Sequence, residues 1–84
     1  MNDKVLVRIS VPMADIHYDM RIPCDLTCHT VAHHIRDMLE RMQGHAIAVS
    51  ENPVLWIGKA QRIADSGKTL REMGITDSDL LLLL

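Results

Sequence analysis

The chain closes on Asp79-Leu80-Leu81-Leu82-Leu83-Leu84, and no other stretch limits its fold as tightly. Five consecutive leucines fall far short of the roughly twenty apolar residues that cross a bilayer as a helix, so no direct membrane insertion is expected. Gly74-Ile75-Thr76-Asp77-Ser78-Asp79 leads into the run with turn chemistry. A short apolar run bounded by a turn reads as a strand covered on both faces. Successive side chains of a strand point to opposite faces. One set of leucines must therefore face a core. What covers the other set is the functional question.

At 84 residues the chain has room for one small domain spanning 1–84. A domain of this size buries little more than about 60% of the surface its unfolded chain exposes. Its core must be well packed, and a cofactor-sized cavity is not expected. Phe is absent and Trp56 and Tyr18 are the only aromatics, so Val, Ile and Leu should build the core, with Met filling gaps. The formal charge is −2, with no basic cluster. Nucleic-acid binding needs a positive face to neutralise phosphates and is not expected. Two cysteines, Cys24 and Cys28, do not make a secreted disulfide framework, and their spacing is not that of a thioredoxin-type pair. Met1-Asn2-Asp3-Lys4 runs into a strand pattern and not into a long apolar leader. The reading is a reduced, cytoplasmic protein.

Lys4 to Val11 alternates cleanly, with Val5, Val7, Ile9 and Val11 on one face and Lys4, Leu6, Arg8 and Ser10 on the other. That pattern, rich in β-branched residues, predicts a half-buried strand. Pro12 ends it, because proline cannot donate to a ladder. After the turn at Pro12-Met13-Ala14-Asp15, Tyr18, Met20 and Ile22 alternate with His17, Asp19 and Arg21, which completes a hairpin. Thr30 is the first choice for a helix N-cap and Thr27 the second. Val31, Ile35, Met38, Leu39 and Met42 then form one helical stripe, with Asp37 and Arg41 four residues apart as a supporting pair and Gly44 as the stop. Ala46 to Val49 reads as a short edge strand or an irregular packed loop, followed by a turn at Ser50 to Pro53. Val54 to Ile57 predicts a third strand stopped by Gly58. Ile63 anchors a very short extended segment, and Asp65 to Lys68 is a turn. Thr69 caps a single helical turn over Leu70 to Met73, Gly74 releases it, Ile75 plugs the core, and Leu80 to Leu84 is the last strand.

Hairpin, helix, strand, small turn and final strand, in that order, are the β-grasp: an α+β fold with a mixed four- to five-stranded sheet and one main helix packed on one face. Leu55-Trp56-Ile57-Gly58-Lys59, Gly67-Lys68-Thr69-Leu70, Gly74-Ile75 and the last strand resemble ubiquitin in order and nearly in spacing. Ubiquitin and the sulfur carriers end in a flexible tail with two glycines, whereas this sequence ends at Leu84 within the last strand. That difference argues against the alternative reading, a β-grasp carrier of the sulfur-transfer or conjugation type. The length, the Met-Asn start, the turn from Gly74 to Asp79 and the leucine ending resemble the YukD family, small bacterial ubiquitin-like proteins associated with type VII (ESX-like) secretion. The resemblance implies a non-conjugated cytoplasmic accessory that works through contacts with a protein partner, including membrane-associated secretion components. It supplies no catalytic residues to carry over, and no cofactor and no metal are expected.

The β-grasp sheet order is second, first, last, third strand. With Leu81 and Leu83 facing the helix, Leu80, Leu82 and Leu84 face outward, and so do Leu6 and Trp56. Leu6, Leu82 and Trp56 are then expected side by side, with Arg8, His17 and Arg21 nearby. Leu6, Arg8, Trp56, Leu82 and Leu84 are the candidate partner-binding residues. The same face in ubiquitin is its main recognition patch, and exposed apolar patches of a few hundred Å² mark interaction sites. Burial in a homo-oligomer, or cover by the 45–53 segment, are the competing readings. Cys24, Cys28, His29, His33 and His34 include zinc-ligand residue types, but all lie in one connector and one helical turn, where four ligands do not readily converge. Ordinary thiols and solvent-facing histidines are the expectation. Gly67-Lys68-Thr69 ends like a phosphate loop but has Arg62 where that motif needs glycine. No nucleophile–base pair is apparent, and Asp77 and Asp79 are assigned to turn chemistry, so the chain is not expected to be an enzyme.

Overall fold

The structure is a computed structural model and describes residues 3–43 and 51–84. Five strands and one long helix follow in the order β1 (Lys4–Val11), β2 (Ile16–Pro23), α1 (Cys28–Gln43), β3 (Leu55–Ile57), β4 (Arg62–Ile63) and β5 (Leu80–Leu83). The sheet order is β2-β1-β5-β3-β4, with β1 and β5 parallel at its centre and the other neighbours antiparallel. This is the β-grasp arrangement, in five strands. The expectations at Gly44, over 46–49 and at Ser50 lie outside the described residues.

Alternation sets the faces of every strand. Val5, Val7, Ile9 and Val11 on β1, Leu55 and Ile57 on β3, and Leu81 and Leu83 on β5 are all buried on the helix side. The hairpin register opposes Val5 to Ile22, Val7 to Met20 and Ile9 to Tyr18, so β2 brings its apolar face to the same side. A 3₁₀ turn at Pro12–Ala14 closes the hairpin, with Asp15 in the left-handed region.

Helix α1 starts one turn earlier than a Thr30 cap allows. Thr27 is the N-cap: its Oγ1 accepts the Thr30 backbone N–H at 3.2 Å. The bond from the cap to the third helical N–H satisfies a donor that has no intrahelical acceptor. The buried stripe comprises Cys28, Val31, Ala32, Ile35 and Leu39. Met42 is off the stripe and 55% exposed. Among the described residues none of the buried core is a methionine; Met20 and Met73 pack only at its margin. Arg36, not Arg41, makes the helical ion pairs, with Glu40 at 3.3 Å and Asp37 at 3.7 Å.

The connection from β4 to β5 is built from reciprocal caps. Thr69 Oγ1 accepts the Glu72 N–H and Glu72 Oε1 accepts the Thr69 N–H, both at 3.0 Å, which is a capping box around one turn. Gly74, at φ +73°, ends the turn. Its N–H reaches the Arg71 carbonyl while the Ile75 N–H reaches that of Leu70. This is a Schellman motif, with Leu70 and Ile75 both buried as its apolar contact. The turn then delivers β5 to the centre of the sheet.

Candidate docking surface

The side of the sheet away from α1 carries the second set of leucines. Leu82 pairs with Ser10 on one side and Trp56 on the other. Ser10 in turn opposes His17, and Trp56 opposes Ile63. His17, Ser10, Leu82, Trp56 and Ile63 therefore form one row across all five strands, about 19 Å long at the usual strand spacing. Leu84 continues the outward parity of β5 and exchanges two backbone hydrogen bonds with Val54, at 3.0 and 3.1 Å. Leu80 lies on the other side of the row, opposite Gly58. Ile63 is 54% exposed, Leu80 41% and Leu84 39%, while Trp56 and Leu82 are half-buried. These five large apolar side chains are contiguous and none faces the helix.

Gly58 is part of why the rows close up. A Cβ there would stand 3.1 Å from the Leu80 carbonyl oxygen and 3.3 Å from its Cβ. Its absence lets β3 and β5 approach where Leu80 crosses, and the Gly58 N–H donates to that carbonyl at 2.9 Å.

The register separates Leu6 from this cluster. Parallel pairing sets Arg8 against Leu80 and Ser10 against Leu82. Leu6 is thus displaced by four residues, about 13 Å along β1, from the position beside Leu82. It neighbours the turn before β5 instead: its carbonyl accepts the Ser78 N–H at 2.7 Å, and its N–H donates to Asp77 Oδ1 at 2.9 Å. Arg8 lies between the two, its Nε 3.3 Å from Asp19 Oδ1. Arg21 opposes Leu6, away from the cluster, and His17 closes the Leu82 row. Ile63 escapes a sequence reading of this face because a two-residue strand has no alternation to read; its pairing with Trp56 assigns it to the outer side.

Lys59 fixes the end of the surface. Its Nζ reaches the Gly74 carbonyl at 2.6 Å and Asp79 Oδ2 at 2.9 Å. Asp79 Oδ2 also accepts the Thr76 N–H at 2.8 Å. Burial raises the Asp79 pKa, but the Lys59 ammonium and the Thr76 donors outweigh it and hold the carboxyl below its ordinary value. Asp77 and Asp79 thus do structural work in the turn before β5, as their turn setting implied.

The other sequence candidates have local structural roles. Cys24 and Cys28 are free thiols within the core, and burial, then Asp65, pushes the Cys28 thiol up. The His29 and His33 rings lie 4.4 Å apart at a tilt. Among the described residues no three His, Cys, Asp or Glu side chains converge as a metal site. At Gly67 the N–H donates to Asp65 Oδ1 at 3.0 Å, and the Lys68 N–H to the Asp65 carbonyl at 3.1 Å, which makes an Asx-type turn. A shallow, open groove of about 380 Å³ lies between β2 and α1. The helix stripe leaves Met38 half-exposed beside the sheet edge, and this edge is where packing stops short.

No protein-family model and no curated protein matches the chain. Solved structures do. A chain from a structure of molecular mimicry of SUMO that promotes DNA repair superposes with a TM-score of 0.78 at 12% identity, covering 100% of this chain and 94% of that one. The ubiquitin-like domain of the Mycobacterium tuberculosis type VII secretion system protein ECCD1 gives 0.73 at 15% identity, covering 100% and 99%. A chain of the MycP5-free ESX-5 inner membrane complex gives 0.78 at 11% identity, covering 99% of this chain and 21% of that one. At such identities the likeness is one of architecture, and it agrees with the strand order described above: the chain folds as a ubiquitin-like β-grasp.

Proposed function

We propose that this chain is a non-conjugated protein–protein interaction module, a cytoplasmic accessory of a type VII-like secretion system, which docks on a protein partner through the outer face of its sheet. The observation that carries this reading is the contiguous apolar cluster of Trp56, Leu82, Leu84, Leu80 and Ile63 on a face that the chain's own helix does not cover. Contiguous apolar surface of this kind commonly marks an interface. Trp56 is its anchor, since tryptophan at the centre of a patch often dominates binding energy. Arg8, held by Asp19, and Leu6 form the margin at the far end. The likeness to type VII secretion domains supports the choice of partner class, a membrane-associated secretion component.

The test is affinity capture from native cells, comparing wild type with Trp56→Glu and Leu84→Glu after confirming that both variants stay folded. The reading expects secretion components with wild type and their loss with both variants. Capture of the same partners by all three proteins would move the docking surface elsewhere. Capture of sulfur-transfer or activating enzymes alone would point to the carrier class.

A further inference from the structure

We propose that His29 and His33 form a two-imidazole binding site for a divalent late first-row transition-metal ion of right-angled coordination, nickel or copper in kind. The site belongs to the helix layer and does not rest on the docking surface of the outer leucines.

The backbone comes first. Residues four apart on a helix stand one above the other on the same face. His29 and His33 have that spacing within α1. The turn that carries them is held at both ends of its chain path. Thr27 caps it, the Cys28 N–H donates to the Lys68 carbonyl at 2.8 Å, and the His29 N–H donates to the Ser66 carbonyl at 3.1 Å. A site whose backbone is fixed in this way is preorganised for its ligand.

Ring geometry then selects the ion. The two ring centres lie 4.4 Å apart and the planes are tilted by 49°. Nitrogen lone pairs lie in the ring plane, so parallel rings cannot aim them at one point, whereas tilted rings can. An imidazole nitrogen binds a metal at about 2.0–2.1 Å, which sets the ion about 3.2 Å from the ring centre. Two rings bound at a right angle then have centres about 4.5 Å apart, and two bound at the tetrahedral angle about 5.1 Å. The observed 4.4 Å fits the right angle, the preference of tetragonal copper and nickel sites.

The rings are also available. His29 is exposed and His33 half-buried, and neither enters an ion pair or a side-chain hydrogen bond among the described residues. His17, by contrast, lies 3.6 Å from Asp15. The Cys28 thiol is in the core at 3% exposure and does not compete. A helix N-terminus disfavours a cation, and the Asp65 carboxylate, close enough to act on Cys28, offsets it. No third side chain joins the pair among the described residues. The remaining coordination positions are therefore open to water or to a donor from another molecule.

The test is a titration of the untagged, isotope-labelled full chain with Ni²⁺ alone, an ion that spares the thiols from oxidation, followed by paramagnetic broadening of amide NMR signals. Broadening is expected first in the opening turns of α1, around His29 and His33. His29→Gln and His33→Gln are each expected to weaken Ni²⁺ binding at least about tenfold, because a chelate needs both rings. His17→Gln should leave it unchanged. Two rings acting separately would instead lose only about twofold in each single variant. The broadening pattern of the wild type stands on its own if a variant misfolds. Broadening centred on His17 or His34, twofold losses in the single variants, or no broadening of α1 would overturn the proposal.

Discussion

Leu81 and Leu82 are adjacent, chemically identical and share one strand, yet the structure gives them opposite roles. Leu81 is 0% exposed and pairs with Ile9 and Ile57, both core residues. Truncating such a leucine to alanine removes its transfer free energy and leaves a cavity, together about 2.7–5.0 kcal/mol. Leu82 is half-buried on the outer face, so Leu82→Ala forfeits about half of the 1.5–3 kcal/mol of a fully buried leucine, or about 1 kcal/mol, with no enclosed cavity. A chain of this length has a total stability of roughly 4–13 kcal/mol. Leu81→Ala thus takes a large share of it and Leu82→Ala a small one. Backbone entropy and strand propensity change equally in the two variants, so their difference isolates the face. Urea unfolding measures it directly. With a slope near 1–1.5 kcal/mol per molar, as expected for a small protein, the midpoint of Leu81→Ala should lie about 2 M below that of Leu82→Ala with an unchanged slope. Equal losses, or a larger loss for Leu82→Ala, would refute the assignment of faces and with it the docking surface.

Asp79, whose pKa is held below the ordinary carboxyl value of 3.8, should stabilise the fold fully above that value and lose its contribution as pH falls through the lower folded value. The stability gap between wild type and Asp79→Asn, measured by urea midpoint across acidic pH, should therefore close on acidification; a constant gap would contradict the pairing with Lys59. Thr27→Ala should cost about 1 kcal/mol of unfolding free energy by removing the α1 cap, whereas Thr30→Ala, at the third helical position, should cost less. Gly74→Ala meets no atom within 4 Å, so its cost should be purely conformational, about 1–2 kcal/mol for a side chain at φ +73°. Gly58→Ala instead presses on Leu80 and should perturb amide shifts along β5.

The sequence carried the elements that local chemistry decides. The alternation of β1, the parity of the leucines, the cap at Thr69 and the stop at Gly74 are each determined within a few residues, and each stands in the structure as read. What failed depends on distant contacts. The parallel register of β1 against β5 is set by how the turn from Gly74 to Asp79 is tied to Lys59 and Leu6, so the sequence could show that Leu6 faces outward but not that it is four residues from Leu82. Thr27 and Thr30 are equally good caps on composition. The bridge from Thr27 to Thr69 favours Thr27. The groove beside β2 is likewise invisible to periodicity, because it arises where the helix and the sheet edge diverge.

The measurement closest to the central claim is site-specific photocrosslinking in native cells, with the photoreactive side chain at Leu82 in one protein and at Glu72 in another. Glu72 is exposed in the turn before β5, away from the leucine row. The account predicts that the Leu82 probe gives a single strong crosslink to a secretion-system component and that the Glu72 probe gives none. A Leu82 probe that captures only a second copy of the chain, or nothing while Glu72 crosslinks, would contradict it.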